Sequence, residues 1–333
     1  MGVYVIAEAG VNHNGSLETA LRMVDAAAHA GADAVKFQTF SAEALATAQA
    51  PKAGYQAEMT GEAGSQLDML RALELSRTDH EALQQRCRER GIEFLSAAFD
   101  LESVELLASL GLKTFKVPSG AITDLPYLRA IGALGGRVIV STGMATLAEV
   151  RDAVAALESA GTARCDMVVL HCTTAYPTAP DDVNLTAMCA LGDELGVSVG
   201  YSDHTLGLAV PIAAVALGAA VIEKHFTLDR SMSGPDHRAS LEPTELAEMV
   251  ASIRIVERAL GDGVKRPSAA ELGNTVAARK SIVAARDIAA GETLSAENLT
   301  TKRPATGISP MRWDEIVGTS AIRAFAQDEA IEL

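Results

Sequence analysis

Residues 200–238 read GYSDHTLGLAVPIAAVALGAAVIEKHFTLDRSMSGPDHR, and this stretch decides the fold. Val197–Tyr201 is a short apolar run that predicts a buried strand, followed at once by Ser202, Asp203 and His204. Leu206–Leu217 carries an Ala/Val/Leu helical pattern, and Ala220–Lys224 predicts the next strand, with His225 at its end and Asp236 and His237 in the loop beyond. Strand, helix, strand in so short a span is a parallel βαβ unit. Both histidines, His204 and His225, then stand at the C-terminal ends of neighbouring strands, the edge at which parallel α/β proteins bind ligands. A lone histidine there is more often a hydrogen-bonded structural group. Two on adjacent strand ends, each beside carboxylates, point instead to a metal or to an acid–base pair.

The same grammar extends in both directions. Strands are predicted at Tyr4–Ala7, Ala34–Phe37, Glu93–Ala97, Thr114–Val117, Arg137–Val140 and Asp166–Leu170, ahead of the two already read. Helical patterns separate them at Leu17–Ala30, Arg77–Arg90, Leu101–Leu110, Leu125–Leu134, Leu147–Ser159 and Leu185–Leu195, and Pro243–Leu260 follows the last strand. Gly31, Gly91, Gly111 and Gly161 sit where four of these helices should stop. Eight strands, each followed by a helix, predict an α/β protein of the (β/α)₈ barrel type over residues 1–260. A doubly wound sheet would carry a glycine-rich dinucleotide turn after its first strand, and EAGVNHNG does not have that spacing. Beyond residue 260 the texture changes. Residues 261–276 read as a polar linker, and 277–333 as a small β-rich module with a turn at AAGETL, marginal in size if it stood alone.

Composition narrows the function. A net charge of −15 disfavours nucleic acid or an anionic membrane as partner, because both demand a basic surface. Cys87, Cys165, Cys172 and Cys189 show no paired spacing and read as reduced thiols. MGVYVIAEAG has no basic region or cleavage site before its first strand, and no run is long and apolar enough to span a bilayer, so a cytoplasmic protein is expected.

A barrel makes a list of strand-end residues worth reading together. They are Glu8, Asn12 and His13; Lys36 and Gln38; Ser96; Lys116 and Ser119; Ser141; His171 and Tyr176; Ser202 to His204; and Glu223 with His225. They divide by chemistry. Lys36, Lys116, Ser119, Ser141 and Ser202, with the glycine-flanked turns PSG and STG, suit a phosphate or carboxylate. Glu8, His204 and His225 offer a carboxylate and two imidazoles to a divalent metal with open positions. The bland reading of either buried lysine is a salt bridge to a core carboxylate. A metal-dependent hydrolase of the amidohydrolase type would place a His-x-His pair on the first strand, which here ends in Glu8.

The motifs EAGVNHNG, AVKFQ, KVPSG, STGM, HCTTAYPT, GYSDHTLG and EKHFTLDRSMSGPDH, in this order and spacing, resemble the sialic acid synthases. The resemblance covers essentially the whole chain, and ARKSIVAARDIAAGETLSAENLTTKRPATGISP resembles the family's antifreeze-like SAF domain, a β-clip fold. It implies an enzyme that condenses phosphoenolpyruvate with an N-acetylated amino sugar to give a nine-carbon α-keto acid and phosphate. It further implies a metal at His204, His225 and Glu8, usually manganese, with magnesium or cobalt as alternatives. Lys36, Lys116, Ser119, Ser141 and Ser202 match the phosphoenolpyruvate pocket, and Gln38, Tyr176 and Asp236 match positions that hold the sugar. Arg303 matches the tail residue that reaches the partner's site in a domain-swapped homodimer.

N-acetylmannosamine is the first expectation for the sugar, with a 2,4-diacetamido-trideoxy hexose (legionaminic or pseudaminic acid synthesis) as the alternative and a non-catalytic carbohydrate-binding scaffold as a remote third. The chain departs from the family's pattern at Ala97, Ala121, Asp124 and Thr174. Ala97 implies a missing hydroxyl contact to phosphate, and Ala121 and Thr174 imply an altered sugar pocket.

Overall fold

The computed structural model describes residues 2–52, 54, 57 and 65–333. The chain divides into two compact units, Met1–Gly261 and Asp262–Leu333. In the first, eight parallel strands close into a barrel in sequence order: β1 (Tyr4–Gly10), β2 (Ala34–Thr39), β3 (Glu93–Ala98), β4 (Thr114–Val117), β5 (Arg137–Ser141), β6 (Met167–Cys172), β7 (Ser198–Asp203) and β8 (Val221–His225). Outside it run α1 (Leu17–His29), α2 (Arg77–Arg90), α3 (Leu101–Ser109), α4 (Leu125–Ala133), α5 (Leu147–Ala160), α6 (Thr186–Leu195), α7 (Ala209–Ala216) and α8 (Pro243–Leu260).

Helix ends are set locally. Ser16 Oγ accepts from Thr19 N–H at the start of α1, and Ser76–Asp79 and Thr146–Glu149 form reciprocal capping boxes on α2 and α5. The predicted stop at Gly91 is the left-handed C-terminal residue of α2 (φ 70°), a conformation that costs glycine no Cβ clash.

Strand alternation explains how one barrel holds both a dry core and a polar floor. Ile6, Ala34, Leu95, Ile139, Val168, Leu170 and Val221 fill the interior as an apolar plug. Two residues further along each strand the inward position becomes Glu8, Lys36, Ala97, Ser141, Cys172 or Glu223. Register then makes neighbours of them: Glu8 pairs with Lys36 and with His225, Ser202 with Glu223, and Cys172 with Ser202. Gly200 is needed below this layer, because a Cβ there would meet Val221 O at 2.4 Å and Leu170 Cδ2 at 2.7 Å.

Outward positions at the strand ends do structural work. Asp203 and Thr205 O receive the ammonium of Lys224, which is buried between strands and helices. Replacing one member of such a pair leaves an uncompensated buried charge. Lys224→Met is therefore expected to destabilise the barrel by about 3–5 kcal/mol, whereas Asp203→Leu with Lys224→Met restores most of that loss. Chemical denaturation midpoints measure both, and an unchanged midpoint in the single variant would contradict the pair's role.

In the second unit, β9 (Ser281–Ala284) pairs antiparallel with β10 (Leu299–Lys302) over a small core that includes Ile282, Ile288, Leu294, Phe325 and Ile331. Helix Leu272–Ala278 crosses the predicted boundary at 276, from the stretch read as a linker into the module, and Val276 O accepts from Ala305 N–H.

Candidate active site

A cavity of about 560 Å³ opens at the C-terminal ends of the barrel strands. Glu8, Lys36, Gln38, Lys116, Ser119, Ser141, Tyr176, Ser202, His204, His225 and Asp236 all line it. Arg303 lies in the second unit, in an exposed loop after β10.

The floor is a buried charge network. Lys36 Nζ stands 2.6 Å from Glu8 Oε2 and 3.7 Å from Glu223 Oε2, and Lys116 Nζ stands 3.6 Å from Glu223 Oε1. Lys116 also donates to Ser141 Oγ at 2.6 Å, and Ser202 Oγ donates to Glu223 Oε1 at 2.9 Å. Burial raises the Glu8 carboxyl to about 7, even against the pull of Lys36. For Glu223, burial is outweighed by Lys116, Lys36 and the Ser202 hydroxyl, which together hold it at about 2. Burial opposes the charge on Lys36 too, yet Glu223 and Glu8 leave its pKa raised, while Lys116, with burial dominant, is lowered. Each lysine has a carboxylate partner, as the bland reading expects, and each also lines the cavity.

Above Lys116, Ser119 Oγ accepts from Gly143 N–H at 3.0 Å and lies 3.3 Å from Cys172 Sγ, tying the PSG and STG turns together. Gly143 permits this approach, since a Cβ there would meet Ser119 Oγ at 2.9 Å and Thr174 Cγ2 at 2.5 Å.

The imidazoles stand opposite, with ring centroids 5.4 Å apart, and Tyr176 lies 4.2 Å from His204. His204 Nδ1 is 2.6 Å from Thr173 O. A carbonyl only accepts, so Nδ1 carries the proton and Nε2 keeps its lone pair. His225 Nδ1 is buried without a hydrogen-bond partner, 4.0 Å from Asp236 Oδ2. Burial lowers the pKa of both rings, with the neighbouring charges of His204 and Lys36 pushing His225 further down. Burial also raises Asp236 to about 6. Two neutral imidazoles with available lone pairs fit a divalent metal. Glu8 is engaged by Lys36 and, at 3.4 Å, by Gln38 Nε2. Among the described residues no group of three His, Cys, Asp or Glu side chains is already gathered as a metal cage.

Several strand-end polar residues turn away from the cavity. Ser96 faces the helices, where its hydroxyl meets Thr39 Oγ1 at 2.6 Å and Thr39 meets His80 Nε2 at 2.7 Å. His171 is held by Val183 O, and Asn12 by Phe226 O and Ser240 Oγ. Of the departures, Ala97 and Thr174 line the cavity, whereas Ala121 belongs to the apolar core and Asp124 caps α4. Glu223 was read on the inward face with His225 but given no role, although period-two alternation from His225 marks it as a floor residue. Phe40, Leu45, Gln66, Met69, Leu70 and Leu73, from the connection that carries the short helices Ala42–Leu45 and Gln66–Arg71, also line the cavity, and none is a strand-end residue. The unusual length of the connection from β2 to α2 was their signal.

A closed parallel barrel whose strand ends bring two buried lysines and two imidazoles into one cavity has the architecture of a barrel enzyme. The chain belongs to the NeuB family, whose model matches residues 23–265, and residues 279–332 match the SAF domain. It is 52% identical to an N,N'-diacetyllegionaminic acid synthase of Campylobacter jejuni, over 98% of each chain. It is 49% identical to an N,N'-diacetyllegionaminic acid synthase of Legionella pneumophila, over 96% of this chain and 90% of that one. A crystal structure of N-acetylneuraminic acid (sialic acid) synthetase from Leptospira borgpetersenii, in complex with citrate, superposes with a TM-score of 0.72 at 34% identity. It covers 82% of this chain and 90% of its own.

Proposed function

We propose that this enzyme condenses phosphoenolpyruvate with a 2,4-diacetamido-2,4,6-trideoxy hexose, giving a nine-carbon α-keto acid of the legionaminic acid type. The observation that carries the reaction class is the presence of buried Lys36 and Lys116 and of the His204–His225 pair in one cavity. Identity of 52% and 49% to the two legionaminic acid synthases, against 34% to the N-acetylneuraminic acid synthetase, supports the diacetamido sugar over N-acetylmannosamine, the first expectation from sequence.

Lys36 and Lys116 hold the carboxylate and phosphate, with Ser119, Ser141 and Ser202 supplying neutral donors beside them. Glu223 keeps both ammonium groups facing the same space. His204 and His225 would hold a divalent cation, manganese first, and that ion would supply Lewis-acid stabilisation of negative charge on the sugar's carbonyl oxygen. Gln38, Tyr176 and Asp236 position the open-chain sugar. C3 of phosphoenolpyruvate bonds to the aldehyde carbon, water adds its oxygen at C2, and the C2–O bond to phosphate breaks. The two protons of that water are accounted for on the new hydroxyl and on released phosphate. Fixing both reactants against one floor converts a bimolecular encounter into a positioned one.

Phosphate release and product mass, measured with each candidate sugar in the presence of Mn²⁺, test this reading. Release with the diacetamido sugar in preference to N-acetylmannosamine is expected. No release with any N-acetylated sugar would favour a carbohydrate-binding scaffold.

The swapped homodimer, with Arg303 entering the partner's site, belongs to the same proposal and is supported by the match of residues 279–332 to the SAF domain; so does the cytoplasmic location expected from the sequence. Mixing His204→Ala with Arg303→Ala chains is expected to restore activity once subunits exchange, because one site then carries neither lesion. Proven exchange without recovery counts against sharing.

A further inference from the structure

The cavity has two chemically distinct sides. Besides its charged floor the cavity has an apolar wall of Val11, Phe40, Met69, Leu70, Leu73 and Phe99. It is packed as a small core of its own: Val11, Phe40 and Leu73 are buried, and the Phe40 and Phe99 rings meet edge to face at 6.3 Å. The wall is built mostly from the long connection between β2 and α2, outside the regular βα units. The anion chemistry of the floor has no use for it. Such a surface in a substrate cavity rewards methyl groups and leaves a hydroxyl without a partner.

We propose that this wall is the specificity element for the sugar, reading a methyl in place of a hydroxymethyl at the terminal carbon and the methyl of an added acetamido group. The inference rests on the reading of the site as a sugar-condensing one, and it names the residues that choose among sugars. Polar selection would demand side-chain donors or acceptors on that side. Gln66, on the helix that carries Met69 and Leu70, also lines the cavity, but the six wall side chains themselves present none, so discrimination against them comes from apolar fit and from the cost of stripping water from a hydroxyl.

The test uses sugars matched except at one position: N-acetylmannosamine against its 6-deoxy counterpart, each with and without a 4-acetamido group. The enzyme is expected to prefer each 6-deoxy sugar by about 10- to 100-fold in kcat/KM, the range one such group achieves in an apolar pocket. Leu70→Gln and Phe40→Tyr, which add a polar group to the wall, are expected to shrink that ratio while leaving the KM for phosphoenolpyruvate unchanged. Equal turnover of the 6-deoxy and 6-hydroxy sugars would overturn the wall's role and leave the condensation itself standing. If no sugar is turned over, the condensation reading fails instead. Calorimetric binding of the same four sugars then decides the wall, and equal affinities would overturn it.

Discussion

Removing divalent metal with a chelator is expected to abolish turnover, by roughly 10³-fold or more if the cation supplies several kcal/mol of charge stabilisation, and added Mn²⁺ is expected to restore it. The reasoning starts from protonation. Thr173 O fixes the proton of His204 on Nδ1, and burial keeps both rings neutral, so lone pairs are available without displacing a proton. His225 Nδ1 is the complementary observation, a buried polar atom with no hydrogen-bond partner among the described residues. His204→Ala and His225→Ala should therefore lose Mn²⁺ affinity, read by titration calorimetry, together with activity. Full activity in metal-free His204→Ala would remove the imidazole pair from the mechanism. Glu8→Gln separates the carboxylate's two roles. If Glu8 serves the Lys36 network, Mn²⁺ affinity survives that change; if it ligates metal, affinity falls with activity.

Lys116→Ala carries the second large expected effect: the KM for phosphoenolpyruvate should rise by about 10- to 100-fold, the loss of a hydrogen bond to a charged group. The sugar's KM should move much less. Lys116 contacts Ser141, Val117 O and Glu223, all on the anion side of the cavity. Lys36→Ala should give a mixed result, because Lys36 also braces Glu8, and Glu8 in turn meets Gln38. A change confined to the sugar in Lys116→Ala would show that the cavity does not divide into the two halves drawn here. Glu223→Gln provides a further comparison. It leaves both lysines without the carboxylate that faces them together, so it should raise the KM for phosphoenolpyruvate while preserving the sugar preference.

By itself the sequence determined the barrel. Strand and helix signals are local, each βα unit repeats them, and the helix stops at Gly31, Gly91, Gly111 and Gly161 require only a backbone of positive φ. It also marked the candidate side chains, because the C-terminal ends of parallel barrel strands are where such a fold binds ligands. Tertiary structure decided which of those side chains meet. Ser96, His171 and Asn12 read as strand-end or rim residues on the same terms as Lys36 and Ser141, and only the closed barrel turned them toward the helices and loops. Strand pairing set Glu8 against both Lys36 and His225, and placed Glu223 where both lysines come within 3.7 Å. The apolar wall was hidden for a different reason. Its residues come from a long connection whose own pattern announces neither strand nor partner, and packing of Phe40 against Phe99 and of Leu73 beside Val11 exists only once the chain has closed. Local propensity thus places each element, while register and closure, which couple residues far apart in the chain, choose the company each functional group keeps.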